Sequence, residues 1–520
     1  MSWSATRPAR SSQTPPATGW RRIFWALWVC MPICIHLLIC PALAEETIFE
    51  TDTPLGDVRL DRLEQSLQSV IAENDRLAQE NSRLAEDIRA LQEQALFRTP
   101  GETAPVDRFD SPGTPRSEFG TPSLPQYMAG YDGGFVIVPP ADDDSPFSLK
   151  INNQTTFRYA GFLSEESSWI DSSGRVIPLV SSSNFLIPRG RLIFSGKALL
   201  PDLTYLLSID YNSANSNPIG FRAYALNYQF SRAFTISVGQ NKVPGSREWI
   251  ASSFAPQEGP DRSMATTFFR PSLSQGIWFT GEPSDGLHYY AMLSNGFNTL
   301  NLRPSQLDNR ICTSGSVWWE PWGAFGPGYS DLEAHEQPAI RTGGSYTFSI
   351  EEGSQANNNA PENSSVRLSD GTLITQLGAF APGVTLQQFH ISLAAIDLAF
   401  KYRGWSLSTE GYFQDLSALK GDGPLPLSST HAYGGTLQGG YFVVPQEVEW
   451  YGRTSYVTGR YGTGSEYASG FNWFIIPGKN NLRFTADAAW LQNSPADQNR
   501  TGLVAGQTGL LLRTQITASF

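Results

Sequence analysis

The chain has 520 residues, 40% hydrophobic and 12% aromatic but only 17% charged, a balance that excludes a long disordered polymer. Its net charge of −12 argues against a nucleic-acid binder, which would be basic, and its mean hydropathy of −0.26 against a bundle of membrane helices. Three of the four cysteines, Cys30, Cys34 and Cys40, crowd into one N-terminal run and leave Cys312 alone, so no disulfide framework is predicted.

The first element in chain order is an export signal. Arg21 and Arg22 precede the apolar run Ile23–Cys40, and Pro41-Ala42-Leu43-Ala44 closes it in a small-x-small pattern. Basic, apolar and small regions in that order predict a cleaved signal peptide over residues 1–44. An uncleaved anchor is the other reading of so long a run. No later stretch holds about 18 apolar residues, so no helical membrane span is expected after residue 44.

A parallel α-helical coiled coil is expected over 45–96. Apolar positions step by three and four through Leu60, Leu63, Leu67, Val70, Leu77, Leu84, Ile88, Leu91 and Ala95, with Asn74 and Asn81 at two core positions. Leucine at d with buried asparagine at a fixes register, while dimer and trimer stay open. One amphipathic helix packed on a domain is the alternative. Residues 97–130, with Pro100, Pro105, Pro112, Pro115, Pro122 and Pro125 among Gly, Ser and Thr, read as an extended linker.

From residue 131 to 520 the pattern changes to period two. Leu203, Tyr205, Leu207, Ile209 and Tyr211 alternate with Thr204, Ser208 and Asp210. Ile396, Leu398, Phe400 and Tyr402 alternate with Asp397, Lys401 and Arg403. Leu482, Phe484, Ala486, Ala488 and Trp490 alternate with Asn481, Arg483, Thr485 and Asp487. Two-faced strands of about ten residues fit a transmembrane antiparallel barrel, lipid outside and water inside. A soluble sandwich alternates as well. Connection lengths sharpen the reading. Long joints at Ser164–Asn184, Pro244–Ser274 and near Gly296 alternate with tight ones at Leu199–Asp202, Phe230–Arg232 and Gly281–Gly286, as a barrel with external loops and short turns requires. The last segment alternates Leu510, Leu512, Ile516, Ala518 and Phe520 with Arg513, Gln515, Thr517 and Ser519. Between about 356 and 390 the alternation cannot be assigned.

Several stretches resemble the phosphate-selective porin O and P family. They are Val238-Gly239-Gln240-Asn241-Lys242-Val243-Pro244-Gly245-Ser246-Arg247-Glu248-Trp249, Asp261-Arg262-Ser263 with Phe268-Phe269-Arg270-Pro271, Arg189-Gly190-Arg191 followed by Gly196, and Glu466-Tyr467 with Gly470-Phe471-Asn472-Trp473. The resemblance covers residues 131–520 and does not include the coiled coil. It implies an outer-membrane barrel of about 16 strands, a homotrimer, and a third external loop, here Pro244–Ser274, folded inward.

Strand phase points Lys150, Arg158, Arg189, Arg191, Lys197, Lys401, Arg403, Arg483 and Arg513 toward the lumen, against the acids Asp210, Asp397, Glu410, Glu466 and Asp487. Basic rings favour anions, so an anion preference, phosphate-like at its most specific, is one expectation. A general pore carries inward arginines too. Lys242, Arg247 and Arg262 fall in or near the constriction loop, where salt bridges to Glu248, Glu258 or Asp261 would tether it.

The leading expectation is a passive outer-membrane porin for small hydrophilic solutes, in contact with outer-membrane lipid. A second is a structural anchor whose periplasmic coiled coil contacts the cell wall. A third is a secreted soluble carbohydrate-binding β-protein using Trp318, Trp319 and Trp322. His36, His288, His335, His390 and His431 show no ligand spacing, and no G-x-S-x-G elbow or phosphate-binding loop occurs. No enzyme, catalytic residue, metal or cofactor is therefore expected.

Overall fold

The structure, a computed structural model, describes residues 127–140, 146–215, 219–255, 257–300, 302–353, 361 and 365–520. The expected signal peptide and coiled coil lie outside the described residues, as does the linker up to 126. The last linker residues are already strand: β1 (Met128–Tyr131) and β2 (Phe135–Val138) form a hairpin.

Sixteen strands close a barrel: β3 (Leu149–Ser164), then, beyond a small loop hairpin β4 (Ser168–Ile170) and β5 (Val176–Pro178), β6 (Ser182–Ala198), β7 (Leu200–Tyr211), β8 (Ile219–Ser231), β9 (Phe234–Lys242), β10 (Leu273–Ser284), β11 (Leu287–Ser294), β12 (Cys312–Trp319), β13 (Ala339–Glu352), β14 (Leu386–Tyr402), β15 (Trp405–Gly421), β16 (Thr430–Val444), β17 (Val448–Gly459), β18 (Gly462–Phe474), β19 (Leu482–Gln492) and β20 (Gly509–Ser519). Each pairs antiparallel with the next. β20 returns to β3 in a register running from Gly509 opposite Ser164 to Ser519 opposite Gln154. Below that point β2 takes over, pairing with Leu149–Ile151. No barrel strand is left with an open edge, the condition for a sheet to stand in hydrocarbon.

Polarity is inverted relative to a water-soluble core. Phe157, Phe185, Ile277, Ile396, Leu437, Trp450, Tyr467 and Ile516 are exposed on the outer wall, while Arg158, Asp210, Lys401, Glu410, Asn472, Arg483, Thr485 and Arg513 are buried on the inner one. A soluble protein would hide the first set and expose the second. A single sheet achieves both because successive side chains point to opposite faces.

One stretch of inner wall departs from this rule. Near the end that carries the long loops, Phe389, Ile391 and Leu393 of β14 point inward and join Leu491, Leu511, Ile374 and Phe269 in a buried apolar cluster. Loops 365–385 and 493–508 fold over this end and supply part of it. The alternation cannot be assigned between about 356 and 390 because β14 begins only at Leu386 and the described residues 365–385 lie in a loop; from Leu386 on it is regular, but its apolar face points inward, and Gln388, His390 and Ser392 take the other face.

At the opposite end the connections are tight: Leu199 alone, then 232–233, 285–286, 403–404, 445–447 and 475–481. The connection from β12 to β13 is the exception. It runs from 320 to 338, and Phe325, Tyr329, Ser330, Asp331 and Leu332 are all buried.

Candidate functional site

The site is the barrel interior, and two chain segments fill much of it. The first is the loop between β9 and β10, with short helices α1 (Arg247–Ile250) and α2 (Met264–Phe268). Serines cap both: Ser246 accepts the Trp249 N–H and Ser263 accepts the Thr266 N–H at 3.1 Å, satisfying donors that a helix start leaves free. Lys242 donates to the carbonyls of Trp249, Ile250 and Ala251 at 2.8, 2.9 and 2.8 Å. Arg262 donates to those of Glu248 and Ala251 at 2.8 and 3.0 Å. Both cations thus gather on carbonyl oxygens at and beyond α1, where a helix end leaves acceptors unpaired. The salt bridges expected of Lys242 and Arg262 are not what holds them.

The loop is seated on the wall by charge-assisted bonds. Asp261 accepts from Arg158 at 2.6 Å and from Arg189. The Met264 N–H donates to Glu466 at 2.7 Å, and Arg453 donates to Glu466 at 2.6 Å and to the Asp261 carbonyl at 2.8 Å. The Glu248 N–H donates to Glu410 at 2.9 Å, Asn472 to the Gln257 carbonyl at 3.0 Å, and Ser406 to Glu258 at 2.6 Å. Arg189, Asp261, Arg262, Glu466 and Asn472, all in the stretches that carry the family resemblance, are therefore parts of one loop seat. Gly190 is needed beside them: a Cβ there would lie 1.9 Å from the Tyr211 ring.

The second segment is 320–338. Phe325 packs on Ala339 and Ala399, and Leu332 on Phe442 and Phe474, so it crosses the lumen from β13 to β18. Tyr329 donates its hydroxyl to Glu410 and Ser330 its hydroxyl to Glu449, both at 2.7 Å. The two segments meet where the Arg247 guanidinium lies 4.8 Å from the Phe325 ring and 4.1 Å from that of Tyr329. Arg247 also donates to Ser408.

Charge divides across the lumen. On the β3–β8 side five arginines share two aspartates: Arg158 and Arg189 on Asp261, and Arg191, Arg222 and Arg500 on Asp210 at 2.7, 3.4 and 3.4 Å. The side chains of the latter three keep 10, 16 and 22% of their surface, and one buried terminal nitrogen of Arg191 has no hydrogen-bond partner among the described residues. A cavity of about 350 Å³ under the loop end reaches Arg158, lined also by Ser182, Asn184, Asn499 and Gln507. On the β15–β17 side Glu258, Glu410 and Glu449 are at most 3% exposed, covered by both segments.

The sequence-predicted lining residues separate into three groups. Arg158, Arg189, Arg191, Arg483 and Arg513 lie inside, with Arg513 paired to Asp487 at 2.6 and 3.0 Å. Lys401 is inside too but is occupied by the second segment, donating to the Phe325 carbonyl and to Glu333. Lys197, next to last in β6, and Arg403 stand at strand ends and not along the length of the wall. Both are exposed at the turn end, Arg403 within the β14–β15 turn at a φ of 48° and over the Tyr402 ring. Period-two phasing overran the strand end at Arg403, whereas Lys197 still lies within β6. Arg222, Arg453 and Arg500 were missed. Arg453 was legible, since it stands four residues from inward Glu449; Arg500 sits in a loop, where no periodicity points to it.

The tryptophan cluster is split by the same pleat. Trp319 and Trp322 are exposed, while Trp318 stacks on His288 and lies under Arg341. Ligand atoms of Asp331, Glu333 and His335 gather within 4.8 Å, but Asp331 already accepts the Gly404 N–H and bonds His335, and Glu333 faces Lys401.

What the fold and interior define is a membrane-type barrel with a narrowed, charge-divided lumen. No family model and no curated protein matches the chain. Solved structures similar to it include OmpT, an outer-membrane protein of Vibrio cholerae, at 10% identity over 73% of this chain and 99% of that one, with a TM-score of 0.44. The anion-selective porin from Comamonas acidovorans has 12% identity over 72% and 99%, and OprB of Pseudomonas putida 10% over 72% and 94%, each with a TM-score of 0.44. Likeness at this level adds nothing to the functional argument, which rests on the barrel itself.

Proposed function

We propose that the protein is an outer-membrane porin, a passive channel for small hydrophilic solutes that prefers anions. The observation that carries the reading is the uneven access of the two charged sides. The arginines around Asp210 outnumber their counter-ion three to one, and the Arg222 and Arg500 side chains keep 16 and 22% of their surface, whereas the carboxylates opposite are covered. Fixed cations beside the remaining water lower the barrier for anions and raise it for cations. Guanidinium forks also match the oxygens of carboxylates and phosphates. In this reading residues 1–44 direct export, the barrel assembles as a homotrimer, and the 45–96 coiled coil sits in the periplasm, where contact with the cell wall would add an anchoring role.

Replacing Arg191, Arg222 and Arg500 together by glutamine tests it. Reversal potentials across a lipid bilayer in a salt gradient should show the anion-to-cation permeability ratio falling by about fivefold or more. A folded variant with the parent's ratio would overturn the preference. A parent protein that gives no conductance steps would overturn the channel.

A further inference from the structure

We propose that the 320–338 segment is the element that sets ion preference: by filling the carboxylate-lined side of the lumen, it leaves the arginine-lined side as the path for water and ions. This rests on the channel reading above and assigns the preference to a part of the chain outside the loop between β9 and β10.

The segment is built for occupancy, not mere connection. β12 and β13 are adjacent antiparallel strands, and two residues suffice for such a joint at 285–286 and 403–404. Its polar contacts to the wall are aimed at acids. Tyr329 and Ser330 place hydroxyl hydrogens on Glu410 and Glu449. A hydroxyl donor covers a carboxylate oxygen without adding a cation, so the acids are shielded while the wall keeps its charge, although Glu449 Oε1 is buried with no hydrogen-bond partner among the described residues. Phe325, Tyr329 and Leu332 are buried, Phe325 against Ala339 and Ala399 and Leu332 against Phe442 and Phe474, and so occupy this side of the lumen with side chains that exclude water.

The segment is fixed at both flanks. The Gly404 N–H donates to Asp331 at 2.7 Å, the Arg403 N–H to the His335 carbonyl at 2.8 Å, and Gln446 to the Leu332 carbonyl at 3.1 Å. Three of the tight turns at that end thereby become its frame: 403–404 and 445–447 through these bonds, and 475–481 through Phe474 at its border. On the far side Arg247 clamps it to the other inward loop.

The test is the Phe325→Ala/Tyr329→Ala/Leu332→Ala variant of the full chain, which keeps Asp331, Glu333 and the backbone anchors but empties the filled side. Single-channel conductance should rise and the anion-to-cation permeability ratio should fall at least about threefold as Glu410 and Glu449 meet water. Adding Glu410→Gln and Glu449→Gln should restore the ratio. If the variant does not give the heat-modifiable band of a folded barrel, a second one, with 322–336 replaced by an Asn-Gly turn, carries the same expectations. An unchanged ratio in a folded, conducting variant overturns the proposal and leaves the channel standing. A shift that survives loss of both carboxylates overturns it too. Absence of conductance in the parent and in both variants defeats the channel reading itself.

Discussion

The arginine side and the carboxylate side of this lumen are built from the same alternating strands, yet they end in opposite states. Around Asp210 three guanidiniums share one carboxylate, and two of them, Arg222 and Arg500, stay partly exposed; Glu410 and Glu449 are at most 3% exposed, with protein donors on Glu410 and on one oxygen of Glu449. Like charges packed together in a low-dielectric interior repel strongly, and solvent weakens that repulsion. An excess of cations therefore persists where a passage remains. Acids can be sealed where hydroxyls, amides and backbone N–H groups reach them. The composition of the wall alone does not decide what a pore presents to an ion; the segments laid over the wall decide it.

The largest expected effect breaks the arginine side at its base. Asp261 is buried and holds both Arg158 and Arg189. Asp261→Ala leaves two guanidiniums without their acid, and removing one partner of a buried pair costs about 3–5 kcal/mol. The loop between β9 and β10 should become sensitive to protease while the barrel keeps its heat-modifiable migration. A loop as resistant as the parent's would mean that the seat does not depend on this charge.

A smaller effect probes the border of the carboxylate side by pH. Glu258 belongs to the inward loop and not to a spanning strand. Burial, and then the neighbouring Glu449, push its carboxyl up from an ordinary 4.5 to about 8, against opposing help from the Ser406 hydroxyl, Arg247 and Lys401. The folded state thus holds a proton that the unfolded chain releases above about 4.5, so this group weakens folding as pH climbs from there toward 8. Melting midpoints in detergent should fall across that window. Glu258→Gln should flatten the slope; equal slopes in parent and variant would remove Glu258 as its source.

How much of this was legible in sequence follows the physics of each feature. Alternation is a property of one strand, so the faces of β7, β19 and β20 could be read directly, as could the tight turns near 199, 232 and 285; the inward loop was implied by the resemblance. The resemblance implied 16 strands, and the closed ladder has them. The fate of each charge is tertiary. Lys242 could be placed beside the loop, but not its three carbonyl acceptors, which depend on α1 folding back over it. Arg403 obeys the alternation rule, yet the chain turns at that point. Most hidden of all was 320–338. Its Pro, Gly and Trp content reads as an ordinary surface connection, and only the positions of Glu410, Glu449, Phe442 and Phe474, up to 150 residues downstream in sequence, turn it inward.

The smallest predicted effect isolates a single bond in that covering segment. Tyr329→Phe removes the hydroxyl that donates to Glu410 at 2.7 Å but keeps the ring over which Arg247 lies. Glu410 retains the Glu248 N–H at 2.9 Å and the Tyr412 hydroxyl at 3.1 Å, so the acid is not orphaned. A hydrogen bond to a charged group contributes about 1.5–3 kcal/mol, and the two remaining donors place the expected loss at the low end of that range. Denaturant midpoints should move by that amount and the ion preference should stay put, since the ring still fills its volume. A variant that keeps its stability but gains cation permeability would show that the hydroxyl, and not the bulk of the segment, is what hides Glu410 from the lumen.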